Sequence, residues 1–388
     1  MNTKEKFNGQ RLKNARLYRG KTLDELAKDI NVTKQAISQY ENSDTIPESS
    51  KLFSLINVLK FPREYFFQED TVFYETQTTY FRSLLGTHKK DRIAQIKKGE
   101  YIALLYDFLS EYIRFPQYNI PTIELPDDEL NLDFDKIANC VREYWNLGNE
   151  PIRDLVYQLE KSGIILTSLT ATSKDIDAYS QKLQTKNGNK FLIILTTNKE
   201  KRVRRQFSCA HELGHIILHN WNEDLETVSK ATFTEIENQA NKFASALLLP
   251  KDSFGIEVSK HPLALDYYIE LKLKWNVSIA AMMIRAKDLE IISYNQYQNL
   301  MRKYAYKGWK TCEPFDNDLK TSNPTLLKSA TKKILERKKW DGPTFINMFS
   351  EKYNICLPKD EIEELLNLDK DTLKFYEQAE IIELPFKD

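Results

Sequence analysis

The sequence predicts a mainly α chain with an α+β middle domain. Three observations carry this. Apolar residues recur at helical spacing through the first 70 residues, over 262–307 and over most of 323–388. Two β-branched-rich runs, IILTSL at 164–169 and KFLIILTT at 190–197, read as strands. Only 11 Gly and 13 Pro occur in 388 residues, which fits long helices with few turns. At about 150 residues per domain, that length suggests two or three domains.

The elements follow in order. Residues 10–19 form a first helix with Leu12, Ala15, Leu17 and Tyr18, stopped by Gly20. Thr22 and Glu25 have the spacing of a capping box and open a second helix carrying Leu23, Leu26, Ala27 and Ile30. Thr33 caps a third helix with Ala36, Ile37 and Tyr40. Leu52, Leu55, Ile56 and Leu59 mark a fourth, and Pro62 starts a last short turn. Residues 71–132 are less regular, apart from a helical pattern over 90–115. The stretch 116–133, with Pro116, Pro121, Pro126 and five acidic residues, reads as a linker at a domain boundary. Helices are expected over 134–147 and 151–162, the second with Pro151 at its first position. AYSQKL at 178–183 is a third candidate strand, and Asn187-Gly188 is a hairpin signal. A long helix runs from Asn198 to about His219, and another covers 235–249 before Pro250.

Composition narrows the function classes. Hydrophobic residues make up 41% and charged residues 29%, which excludes a mainly disordered chain. Lys plus Arg equals Asp plus Glu at 56 each, so any nucleic-acid contact must come from a local patch. Cys140, Cys209, Cys312 and Cys356 show no paired spacing, which gives no support to a cysteine zinc site or disulfide framework. The N-terminal residues lack the apolar core of a secretory signal, and no apolar run reaches the roughly 18 residues of a membrane span. A cytoplasmic protein without a membrane partner is expected.

The strongest chemical signal is His-Glu-Leu-Gly-His at 211–215. On a helix, His211 and His215 project from one face and can bind one Zn2+, while Glu212 can hold and deprotonate a water polarised by the metal. The chain has only five His, and random placement gives this pattern roughly 0.005 times per chain. A catalytic site needs a third ligand. The following helix offers Glu237, with Glu235 as runner-up. Asn241, one turn beyond Glu237, is a candidate to orient His211 or His215. His219 does not converge with the other two along a straight helix and is expected to act behind them. Gly214 is expected to admit a neighbouring strand.

At the N-terminus, the capped helices 22–30 and 33–42 have helix-turn-helix spacing. Thr33, Lys34, Gln35, Ser38 and Gln39 would face base edges and phosphates of double-stranded operator DNA. Residues 4–21 carry seven Lys or Arg against one Glu, a basic patch on a neutral chain.

Two resemblances rest on these motifs. Residues 10–67, with TLDELAKDINVTKQAISQYENSDTIPE and LKFPREYFF, resemble an XRE-type (lambda-repressor-like) helix-turn-helix domain. VRRQFSCAHELGHIILH at 203–219 and ENQANKFASALLLP at 237–250 resemble the ImmA/IrrE family of zinc metallopeptidases, as do KWNVSIAAMMIRAKDLEIIS at 274–293 and GWKTCEPF at 308–315. The resemblance implies His211, His215 and Glu237 as zinc ligands and Glu212 as general base. Many members have an acidic residue where this chain has Gln239. Relatives cleave repressor proteins under stress, including DNA damage. The implied organisation is a five-helix helix-turn-helix domain (1–69), a helical connector and linker (70–133), a zincin-like metallopeptidase domain with a small sheet (134–315), and a helical C-terminal domain (316–388). The leading expectation is a homodimeric DNA-binding regulator with a zinc endopeptidase that cleaves a repressor or partner protein. Its substrate would pair with an edge strand near 178–195. The rival is a non-proteolytic repressor or antitoxin whose zinc domain is a sensor or scaffold. A third reading has the helix-turn-helix dock only a protein.

Overall fold

The computed structural model describes residues 6–69, 88–126, 132–170, 178–186, 188–197, 201–221 and 228–374, and the backbone of 76–81. The N-terminal module is helical: α1 (Gly9–Tyr18), α2 (Leu23–Asp29), α3 (Lys34–Glu41), α4 (Ser49–Leu59) and a 3-10 turn at Arg63–Phe67. Local chemistry sets its boundaries. Asn8 caps α1, Thr22 and Glu25 form the reciprocal capping box of α2, and the Thr33 hydroxyl accepts the Ala36 N–H at the start of α3. Arg16 and Glu41, both buried, tie α1 to α3 through two hydrogen bonds of 2.5 and 2.9 Å.

The middle holds a four-stranded sheet in the order β1-β3-β4-β2. Its strands are β1 (Thr76–Phe81), β2 (Ile165–Leu169), β3 (Ala178–Thr185) and β4 (Gly188–Thr196). β2 pairs parallel with β4; β3 pairs antiparallel with both β4 and β1. Two expectations change here. Thr185 pairs with Gly188, so the hairpin closes one residue earlier than an Asn187-Gly188 turn requires; Asn187 lies outside the described residues. The 178–195 region supplies no free edge, because β3 and β4 each have a partner on both sides.

The described parts of 71–132 hold more regular structure than their composition suggests. They contain β1 and α5 (Lys89–Ser110), whose 101–109 stretch is buried throughout. Part of 116–133 also lies against the body. The Asn119 N–H donates to the Ser162 carbonyl, and the Trp145 indole donates to the Asn119 carbonyl. Gly163 adopts φ +78°, and a Cβ there would stand 2.5 Å from the Gln117 carbonyl oxygen. Residues 127–131 lie outside the described residues.

Helices α6 (Phe134–Tyr144), α7 (Leu155–Lys161), α8 (Arg202–Leu218) and α9 (Lys230–Leu248) follow. Pro151 is not the first residue of α7: Asp154 caps it, accepting the Tyr157 N–H. After a π-turn and a short α10 (Ile256–Val258) come α11 (Tyr267–Trp275), α12 (Ile279–Asp288) and α13 (Tyr294–Tyr306). The C-terminal helices α14 (Leu326–Lys338), α15 (Gly342–Tyr353) and α16 (Lys359–Leu365) pack on α5 and β2. Buried Glu160 on α7 accepts the Thr325 and Leu326 N–H groups at the start of α14, and Thr167 on β2 donates to the Leu365 carbonyl. The N-terminal module docks on the same body. Arg11 donates to the Asn354 carbonyl, and Tyr18 and Arg19 both bond Glu361. All four cysteines are free. Among the described residues, no helix is long and apolar enough to cross a membrane.

One buried charge cluster pins the loop after α13. Lys272 donates to Glu313 at 2.8 Å and Asp316 at 2.5 Å, while Glu313 also accepts the Ile279 and Ala280 N–H groups opening α12. Lys272→Met leaves two buried carboxylates short of their cation. Urea unfolding should show a loss of about 3–5 kcal/mol; a loss below 1 kcal/mol would exclude the cluster as a structural pin. Burial pushes the Asp316 carboxyl up, but Lys201 and Lys272 outweigh it and hold it below its ordinary value. The stability that this group contributes is therefore present above the unfolded-state pKa of about 3.9 and disappears as pH falls through the lower folded value. A wild-type melting temperature insensitive to acid below pH 4 would contradict this.

Candidate metal centre and DNA-facing helix

α8 and α9 together build the candidate centre. His211, Glu212 and His215 stand on the buried face of α8 at 0, 1 and 0% exposure. α9 crosses α8 closely because residue 214 is Gly. A Cβ there would meet Phe243 Cδ1 at 3.1 Å and Ala240 Cα at 3.2 Å. The neighbour that Gly214 admits is thus a helix, not the expected strand. That approach brings Glu237, on the same face of α9 as Ala240, to the two histidines. Glu237 Oε2 lies 3.3 Å from His211 Nε2, Oε1 lies 3.4 Å from His215 Nε2, and the two Nε2 atoms are 3.0 Å apart. Glu235, the runner-up, is exposed.

Hydrogen bonds behind the imidazoles determine what they present. His211 Nδ1 lies 3.1 Å from Asn241 Oδ1. An amide oxygen only accepts, so the proton sits on Nδ1 and Nε2 is bare. On the other side, His219 Nε2 lies 3.1 Å from Gln239 Oε1, and His219 Nδ1 lies 3.0 Å from His215 Nδ1. His219 donates to the amide oxygen and accepts from His215, which bares His215 Nε2 as well. Burial first, then His215, push His219 down to about 3, so it is neutral. Two lone pairs facing each other at 3.0 Å repel unless a cation lies between them. His211, His215 and Glu237 therefore bring two imidazole nitrogens and one carboxylate close enough together that they could hold one metal ion. Two ligand atoms about 2.0–2.1 Å from one zinc at the tetrahedral angle stand about 3.3 Å apart, and the three observed separations bracket that value.

Glu212 is held from the sheet. The Ser180 hydroxyl on β3 donates to Glu212 Oε2 at 2.6 Å. The sequence pattern assigns no site role to Ser180 or Gln239. Nothing in the local pattern marks either, because each contact joins separate elements. A cavity of 790 Å3 reaches Asn238 and Asn241 from the α12 side, with Lys201, Arg204 and Trp309 on its wall.

In the N-terminal module, Thr33, Lys34 and Gln35 are exposed at the start of α3, and Ser38 and Gln39 are half-buried. The Thr33 hydroxyl is occupied as the cap. Lys34 forms an exposed ion pair with Asp24 at 3.3 Å. The basic patch is mostly used internally. Arg11, Arg16, Arg19 and Lys21 all bond partners within the chain, while Lys6 and Lys13 are exposed and Lys4 lies outside the described residues.

Comparison with known families agrees with this layout. Residues 12–66 match the family model for a helix-turn-helix domain. Residues 159–287 match the peptidase M78 family model, described as the IrrE N-terminal-like domain, and include the whole ligand cluster. No curated protein matches the chain. Two parts of the chain are thus similar, in this order, to a helix-turn-helix domain and to an IrrE-like peptidase-family domain.

Gly214→Val should force α8 and α9 apart. Overpacking of this kind costs about 1–3 kcal/mol, read from urea unfolding. A variant as stable as wild type would mean that the helices are not held at contact.

Proposed function

We propose that the protein is a DNA-binding regulator carrying a zinc-dependent endopeptidase that cleaves a repressor or partner protein under stress. The supporting observation is the pair of imidazole Nε2 atoms, on His211 and His215, facing the Glu237 carboxylate, with Glu212 on the same helix held by Ser180. His211, His215 and Glu237 hold the metal. Zinc, when bound, acts as a Lewis acid that polarises a peptide carbonyl and makes a water acidic at neutral pH. Glu212 takes the proton of the attacking water and returns it to the leaving nitrogen as the C–N bond breaks. Asn241 and the His219–Gln239 pair keep both histidines in the tautomer that ligation needs. Ser180 fixes the carboxylate rotamer of Glu212.

The helix-turn-helix module reads an operator through the start of α3, with Lys34 on phosphate and Gln35 on a base edge. Two copies bind two half-sites as a homodimer. Ile46 and Phe53, each 66% exposed on this module, supply apolar surface for that pairing.

Metal content measured by mass spectrometry tests the centre. About one zinc per wild-type chain is expected, lost in Glu237→Ala, and Asn241→Ala should weaken zinc affinity by about 10–100-fold. Glu212→Gln should keep zinc and DNA binding while abolishing cleavage of any repressor or partner protein that the wild type cuts. Cleavage at the wild-type rate by that variant would sink the mechanism. In mobility shifts on the protein's own upstream DNA, Lys34→Ala should weaken binding on all sequences and reduce the salt slope by about 1. Gln35→Ala should instead relax preference at one base pair.

A further inference from the structure

The sheet places β1 where a peptide substrate would have to lie. Side chains alternate along β3. Tyr179 and Gln181 point to α5, where both bond Gln95, while Ser180 points to α8 and bonds Glu212. β3 is thus the strand that runs past Glu212. One of its edges is taken by β4. An extended peptide brought to Glu212 by strand addition must use the other edge. That edge is filled from within the chain. Thr78, Thr79, Tyr80 and Phe81 pair antiparallel with Lys182, Gln181, Ser180 and Tyr179, which puts Tyr80 beside the residue that bonds Glu212. The ligand histidines are fully buried in this arrangement.

We infer that residues 76–81 are a resident occupant of the outer edge of β3, the edge on which an extended peptide substrate would pair beside Glu212. This rests on the peptidase reading above. Antiparallel pairing of this kind is independent of side-chain identity, so a foreign strand competes with β1 through the same backbone groups. β1 is also the first strand after the helix-turn-helix module. That module is clamped to the body by Arg19–Glu361, Tyr18–Glu361 and Lys90–Glu25. A partner that lifts the module from α5 and α16 therefore pulls on the chain that leads into β1.

The test uses full-length protein and a fluorescent synthetic peptide with the sequence of residues 74–83, YETQTTYFRS. Successive strand residues direct their N–H groups to opposite edges. Thr79→Pro with Tyr80→Pro therefore removes a donor to β3 whichever residue supplies it. The expected result is that the double variant binds the peptide at least about tenfold more tightly than wild type, with or without Glu212→Gln. Equal binding by wild type and variant, or no binding by either, overturns the inference. Hydrogen exchange on the unaltered chain guards against a misfolded variant. Amides in 76–81 and 178–183 should both be protected, and rapid exchange across 76–81 would show an edge that is already open. Peptide exchange that behaves as expected while Glu212→Gln still cleaves would leave the docking edge standing and remove the peptidase mechanism alone.

Discussion

The close contact of α8 with α9 is the constraint on which the centre depends. Two histidines four residues apart define a line along one helix, not a site. They become a site only when a carboxylate arrives from outside that helix. Gly214 removes the one side chain that would hold α9 away, and Ala240 presents bare backbone at the same point. Glu237 then reaches both Nε2 atoms with one carboxylate. A glycine in a helix interior costs about 1 kcal/mol against alanine. Here the gain is an approach that no other residue permits without displacing Phe243 or Ala240.

The remaining order in the centre comes from hydrogen bonds that point away from the metal position. Asn241 and Gln239 each offer an amide oxygen, one directly to His211 and one through His219 to His215. Both routes have the same consequence: the outer nitrogen carries the proton and the inner nitrogen keeps its lone pair. Direct contact serves His211 because Asn241 sits one turn beyond Glu237. His215 lies further along α8, where a longer relay is needed, and His219 fills the gap at the helix end. The Trp221 indole, donating to the His215 carbonyl, secures that end.

The parts of this architecture that were readable in the sequence are those set by local spacing. The caps at Thr22 and Thr33, the helical run through 211–215 and the strands at 164–169, 178–183 and 190–197 all follow from residues within one or two turns of each other. Glu237 was readable because a helix face can be projected from its own sequence. What escaped was contact between distant elements. Ser180 holds Glu212 across 32 positions, and Gly214 meets a helix where a strand was expected. The 71–132 stretch reads as irregular because β1 is short and pairs with residues about a hundred positions away. Basic residues at 4–21 read as a DNA patch because charge counts do not reveal partners such as Glu41 and Glu361.

These long-range contacts alter how the two family domains relate. A linker reading treats the helix-turn-helix module and the peptidase-family domain as independent units joined by slack chain. Instead, the segment between them contributes an edge strand to the sheet and a buried helix beneath it. α5 touches α1, the sheet and the C-terminal helices together. Ion pairs at the module's seam are partly exposed and individually weak, on the order of 0–1 kcal/mol each. The strand pairing, by contrast, is a cooperative ladder. The seam is not ionic alone: Tyr18 packs on Tyr101 of α5 and the Tyr65 and Tyr101 hydroxyls bond each other, all three buried, so lifting the module also exposes this aromatic contact.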